Sequence, residues 1–270
     1  DWGDLQIVFA TTQGDVRRNR LSDFTNVRSN GKIAMKLPEG VELVNARICS
    51  EDDDVMLTTD SGRAIRFSST DLRVMNSRAS TGVRGIRLTG NDKVVSMSVI
   101  RHFKATPEER TAYLKMRRAV AGLVEEESTE DEVPADPNFS QERYMEMAAV
   151  ENLILTITRG GSGKLSSSHD YPIRGRGGMG VTAMDKAMRG GPVVASFPVE
   201  MSDQIMLVTS NGQSIRCPID GISFRSRSAG GVRVFNTNGD EKVVSVAYIP
   251  DQGDEVEDEQ GEVETPQAEE

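Results

Sequence analysis

Side chains able to do chemistry are scarce in this sequence, with one exception. Two cysteines, Cys49 and Cys217, and two histidines, His102 and His169, are present, with no CxxC spacing and no histidine beside either thiol. That argues against a metal centre or a disulfide framework, and both thiols read as small core residues. No nucleophile elbow, phosphate loop or zinc-ligand spacing occurs. The carboxylates gather in two stretches where no pocket would shift their pKa. Catalysis by this chain alone is therefore not expected. What remains is arginine, at recurring positions. Arg17, Arg18 and Arg20 follow Gly14; Arg63 and Arg66 follow Gly62; Lys164 follows Gly163; Arg216 follows Gly212. Arg28, Arg78, Arg176 and Arg227 stand three or four residues before Gly31, Gly82, Gly180 and Gly231. Lys32, Arg84, Arg174, Arg225 and Arg233 flank the same glycines. The planar fork of arginine grips phosphate oxygens in a bidentate way.

The elements that must position these residues repeat. Val55-Met56-Leu57-Thr58-Thr59, a turn with Gly62, then Ala64-Ile65-Arg66, recurs as Ile205 to Thr209, Gly212, then Ser214-Ile215-Arg216. The pattern returns as Ile7 to Thr11 with Gly14, and more loosely as Leu153 to Thr158 with Gly163. Turn glycines at 14, 62, 163 and 212 and second glycines at 31, 82, 180 and 231 agree on a period near fifty, with one insertion of similar length. Each unit reads as four short strands: a glycine-turned hairpin, a third strand after the second glycine, and a fourth at Leu43-Val44, Val94-Val95, Val193-Val194 or Val243-Val244. Met35, Ile86, Met184 and Phe235 align, each preceded by a smaller residue: Ala34, Gly85, Ala183 or Val234. The expected fold is all-β, a propeller-like array of four-stranded blades. Residues 1–103 and 151–250 hold two blades each.

Residues 104–150 break the rhythm. Thr106-Pro107-Glu108-Glu109 is a capping box with proline at the first helical position, so a helix is expected from there to about Leu123. Glu125 to Asp136 reads as acidic and disordered, and Ser140 to Ala149 as a second helix. Residues 251–270 carry ten acids and no base, and with almost no large apolar side chain they should be disordered. The formal charge of −10 thus conceals a body at +5 with −15 in the insertion and tail. No apolar run is long enough to span a membrane, and the first residues carry no signal pattern, so a cytoplasmic protein is expected.

Singly, such arginines guard strand edges equally well. As a set, one position per blade around a curved array makes a charged band. Such a band neutralises phosphates in series and offsets the cost of bending duplex DNA, on the order of several kcal/mol per 20–30 bp. Aromatic residues are sparse, which disfavours stacking on single strands; backbone contact with a bent duplex is the expected mode. A protein-interaction propeller is the other reading, but the only tryptophan is Trp2, which excludes Trp-Asp blade signatures.

The phrases SRASTGVRGIRLTGNDKVVSM (77–97), VRSNGKIAMKL (27–37), DQIMLVTSNGQSIR (203–216) and RSRSAGGVRVFN (225–236), with the acidic tail, resemble the C-terminal domain of bacterial DNA gyrase A. The resemblance implies a β-pinwheel, a propeller-like disc of usually six blades with swapped strands, whose basic rim wraps DNA so that the holoenzyme introduces negative supercoils. It covers four repeats, so the chain reads as a fragment holding the last four blades. The family's QRRGGKG box finds its nearest match in RGRGGMG at 174–180, where Arg176, Gly177, Gly178 and Gly180 agree and Arg174, Gly175 and Met179 depart; it reads as a later-blade relative of the box. Double-stranded DNA, the rest of gyrase A and gyrase B in an A2B2 assembly are the implied partners. No metal or cofactor is expected in this chain, with ATP and Mg2+ acting elsewhere in the holoenzyme. The corresponding domain of topoisomerase IV is the near alternative; the long acidic tail favours gyrase.

Overall fold

The computed structural model describes residues 3–123, 133–185, 190–237 and 239–251. The expected disordered stretches at 125–136 and 251–270 lie largely outside them. In chain order the strands are β1 (Gln6–Thr11), β2 (Asp15–Arg20), β3 (Leu43–Cys49), β4 (Asp53–Thr59), β5 (Arg63–Ser68), β6 (Val83–Arg84) and β7 (Val94–Arg101). Helices α1 (Pro107–Val120) and α2 (Gln141–Ala149) follow. Then come β8 (Leu153–Thr158), β9 (Ser162–Ser167), β10 (Val181–Thr182), β11 (Val193–Val199), β12 (Gln204–Thr209), β13 (Ser214–Pro218), β14 (Val232–Arg233) and β15 (Val243–Ile249).

They form four antiparallel blades ordered β3-β1-β2-β6, β7-β4-β5-β10, β11-β8-β9-β14 and β15-β12-β13. The inner strands β3, β7, β11 and β15 gather around a central space of about 590 Å³, which residues from all four line. The outer strands come from elsewhere. Each two-residue strand leaves its own repeat and pairs with the hairpin of the repeat before it: Val83 with Val16, Val181 with Ala64, Val232 with Gly163. Propeller blades are thus stitched by exchange. Among the described residues, Gly31 to Met35 form no strand and β13 has no outer partner, which corrects the expectation of four complete strands per unit.

The second glycine of the second, third and fourth repeats serves this exchange. A Cβ on Gly82 would lie 2.4 Å from the Val16 carbonyl oxygen, and one on Gly180 would lie 2.3 Å from that of Ala64. The hairpin turns share another device. The hydroxyls of Thr11, Thr59, Thr158 and Thr209 each accept the backbone N–H four residues on, at 3.2, 3.3, 3.3 and 3.3 Å. This Thr-x-x-Gly frame makes Gly161, at φ 79°, the turn glycine of the third blade. Gly163, expected in that role, sits on β9, where a Cβ would meet Ile157 at 2.4 Å.

Between blades, large and small side chains alternate as expected. Ile86, Met184 and Phe235 are buried, and a Cβ on Gly85 would press on Leu57 at 2.7 Å. Cys49 is buried, and burial pushes its thiol up to about 11. Cys217, on β13, is only half-buried but packs against the hydrophobic core shared by the third and fourth blades.

The insertion is docked, not pendant. Helix α1 starts with both halves of the capping box, Glu109 N–H to Thr106 Oγ1 at 3.2 Å and Thr106 N–H to Glu109 Oε2 at 2.8 Å. Tyr113 and Tyr144 stack at 5.1 Å, and Tyr113 meets the edge of His169 at 4.9 Å. Arg143 ties the helices through Glu109 at 2.8 Å, while Arg117 bonds Glu151 at 3.0 Å and lies 4.5 Å over the Phe224 ring. The insertion therefore leans on the third and fourth repeats.

Candidate nucleic-acid interface

The basic residues separate into two groups. Five are inside the fold: Arg17, Arg18, Arg66, Lys164 and Arg227 are all buried. Their polar atoms face protein. Lys164 Nζ donates to the carbonyls of Ser226, Arg227 and Ala229 at 2.9, 2.5 and 2.6 Å. Arg17, at the matching position of the first blade, donates to the Ser80 carbonyl at 2.7 Å and to Asn19 at 2.8 Å. Both clamp the loop that delivers the next repeat's swapped strand. Arg18 reaches Gln6 at 3.4 Å.

Arg66 forms a buried pair with Asp54 at 2.7 Å, which His102 also meets at 2.7 Å, and donates to the Ser168 and Arg101 carbonyls at 2.8 and 3.1 Å. Arg227 is held by the Asp170 carbonyl at 2.9 Å and by the Thr182 carbonyl. These five therefore face protein rather than the DNA-facing band expected of them: Arg17, Arg66, Lys164 and Arg227 tie blades and loops together, while Arg18 Nε and Arg17 Nη2 stay buried without a partner.

The second group faces outward. Arg20, Arg28, Arg84, Arg174, Arg176, Arg216 and Arg233 are exposed. Lys32, Arg63, Arg78 and Arg225 are half-buried. Arg84 and Arg233 occupy the second residue of the outer strands β6 and β14, the edge farthest from the inner strands. Several of the exposed or half-buried arginines combine rim position with a structural bond. Arg63 donates to the Met179 and Gly180 carbonyls at 2.8 and 2.6 Å, and Arg176 to those of Asp71 and Arg84 at 3.1 and 3.0 Å. Arg78 holds the Ile33 carbonyl at 3.0 Å.

The box-like loop is pinned to the junction of the first two blades. Gly177 N–H donates to the Gly85 carbonyl at 2.6 Å, and Arg87 N–H to that of Gly178 at 2.8 Å. This presents Arg174 and Arg176 on the perimeter near Arg84. Sequence reasoning missed Arg110 on α1, which reaches the same perimeter from the insertion. The basic residues of α1, Arg110, Arg117 and Arg118, were the available signal, masked because the insertion breaks the repeat.

Among the described residues no group of three His, Cys, Asp or Glu side chains could hold a metal ion. No described helix is long and apolar enough to cross a membrane.

A family model described as DNA gyrase C-terminal domain, beta-propeller, matches residues 6–50, 53–101, 152–197 and 203–250, one match per blade. The DNA gyrase A protein of Granulibacter bethesdensis is 46% identical over 259 residues, covering 91% of this chain and 28% of that protein. That of Rickettsia bellii is 42% identical over 260 residues, covering 96% and 28%. The chain thus spans little over a quarter of these relatives' length. Among solved structures, a DNA gyrase A C-terminal domain superposes with a TM-score of 0.65 at 22% identity, covering 92% of this chain and 66% of that one. The C-terminal domain of a DNA topoisomerase IV gives 0.66 at 18%, covering 92% and 62%. At these identities both speak to the fold.

Proposed function

The chain belongs to the DNA gyrase C-terminal domain family, and from that premise we propose that it binds duplex DNA by its phosphates and bends it around the outer perimeter of the blades. The observation that carries this reading is the division of the cations. Those inside are buried against protein groups, whereas Arg84, Arg174, Arg176 and Arg233 stand on the outer edge where a duplex can lie. A curved row of arginines contacts backbone, not base edges, so sequence readout is weak.

Within a full-length gyrase A, such a module would present a DNA segment to the strand-passage machinery formed by the rest of gyrase A with gyrase B, where ATP and Mg2+ do their work. A bacterial cytoplasm is where such a protein would act.

Binding of a duplex over a salt series tests the reading. Affinity should fall linearly on a log–log plot, with a slope of about −0.9 per phosphate neutralised. A salt-independent affinity, or none with residues 251–270 removed, would contradict it.

A further inference from the structure

The insertion closes one side of a cleft at the perimeter. A cavity of about 330 Å³ lies between α1, the segment that follows β9 and the outer strand β10. Its charged lining among the described residues is Arg110 and Arg118 from α1, Arg174 from the box-like loop, and Arg227 beside Asp170. Val181 of the outer strand β10 forms part of the wall, which puts the opening on the blade rim. Among the described residues of this lining Asp170 is the one carboxylate, and it already accepts the Arg227 backbone N–H at 2.7 Å.

Arg110 is half-buried and Arg174 exposed, and neither guanidinium makes a hydrogen bond or ion pair with a described residue. Burial above all lowers the Arg110 pKa; Asp170 opposes this, and Arg66, Arg227 and Arg174 add to the lowering. Arg110 and Arg174 are like charges without a bonded anion among the described residues, an arrangement that costs stability. A fold keeps such an arrangement at no net loss when an anion arrives to fill it.

We propose that helix α1 completes a phosphate site in which Arg110 and Arg174 together grip a backbone phosphodiester of duplex DNA, extending the wrapped path across the insertion. The inference rests on the DNA-binding reading above. Its chemistry is that of two planar donors sharing one anion. Inorganic phosphate offers the same chemistry, so the experiment must separate the two sources.

The test uses the full chain with R110Q, R174Q and R110K, a short duplex and a salt series. If the phosphate site is correct, R110Q and R174Q each weaken binding about three- to tenfold at 0.1 M salt and each lower the log–log slope by about 0.9. R110K keeps the slope. The double variant loses less than the two single losses combined, because both arginines hold one phosphate. R174Q sits on an exposed residue, so it reports even if R110Q disturbs α1. Wild-type slopes in both single variants overturn the inference while leaving the DNA-binding reading intact. No binding by the unaltered chain overturns both. Thermal protection by inorganic phosphate that R110Q abolishes, with DNA binding unchanged, makes the cleft a free-anion site and overturns the DNA assignment.

Discussion

Replacing Lys164 with methionine should cost the protein much of its stability and none of its DNA affinity. The ammonium is fully buried and donates to three carbonyls of the loop at 226–229. Methionine keeps the volume of the stem but offers no donor. Ser226 O would still accept the Ala229 N–H at 3.2 Å, which leaves the Arg227 and Ala229 carbonyls without their donor. Each orphaned buried acceptor costs about 1–3 kcal/mol, so the loss should be about 3–5 kcal/mol after partial relaxation. For a chain of this size that is a fall of roughly 6–20 °C in Tm. Urea unfolding of the two proteins gives the free energy, and amide exchange at Val232 and Arg233 locates it, since β14 reaches β9 only through this loop. A loss under about 1 kcal/mol with unchanged exchange at β14 would refute the clamp. Reduced DNA affinity at a temperature where K164M is folded would return Lys164 to the binding surface.

The outer residues should behave in the opposite way: R84Q and R233Q each lower the log–log salt slope of duplex binding by about 0.9 while unfolding within about 1 kcal/mol of the unaltered chain. Gly82→Ala forces a Cβ to 2.4 Å from the Val16 oxygen at φ 93°, and should cost about 2–5 kcal/mol. Gly31→Ala has φ 80° but open space around it, and should cost about 1–2 kcal/mol, both measured by urea unfolding. Burial chiefly lowers the His169 pKa below its ordinary 6.5, with Arg66 and Arg110 adding to the effect and the Met147 carbonyl and Glu151 opposing it. The unfolded chain then binds the proton more readily. The neutral ring's stabilisation is therefore complete above about pH 6.5 and is lost as pH falls below it. Protection factors in α2, measured against the intrinsic exchange rate at each pH, should fall between pH 7 and 5, and H169Q should flatten that dependence.

The repeat, the propeller class and the α1 capping box were legible because each rests on local signals: turn glycines, large-beside-small pairs and Thr106 with Glu109. The strand exchange was not legible from the residues themselves. Val83 and Arg84 look the same whether they pair with their own hairpin or the preceding one; the choice depends on which edge the Gly82 close approach makes available. Lys164 and Arg17 were misread for a related reason. A cation after a turn glycine looks like surface, and only the arrival of carbonyls some sixty residues later in the chain makes its burial tolerable. Gly163 took the place of Gly161 because glycines at 160, 161 and 163 crowd one turn, and the Thr158 hydroxyl decides between them. Arg110 was overlooked because period analysis sees nothing inside a segment that lacks the period.

The central claim is that the outer arginines bend DNA and do not merely hold it. Nicked circular DNA ligated with the chain at saturation, then deproteinised and resolved by topoisomer, reads this directly. Wrapping around the perimeter predicts a shift of linking number in one direction, growing with the amount bound and lost in a variant lacking Arg84, Arg174, Arg176 and Arg233. A distribution that stays at its protein-free position, on DNA shown by mobility shift to be fully occupied, would contradict the account.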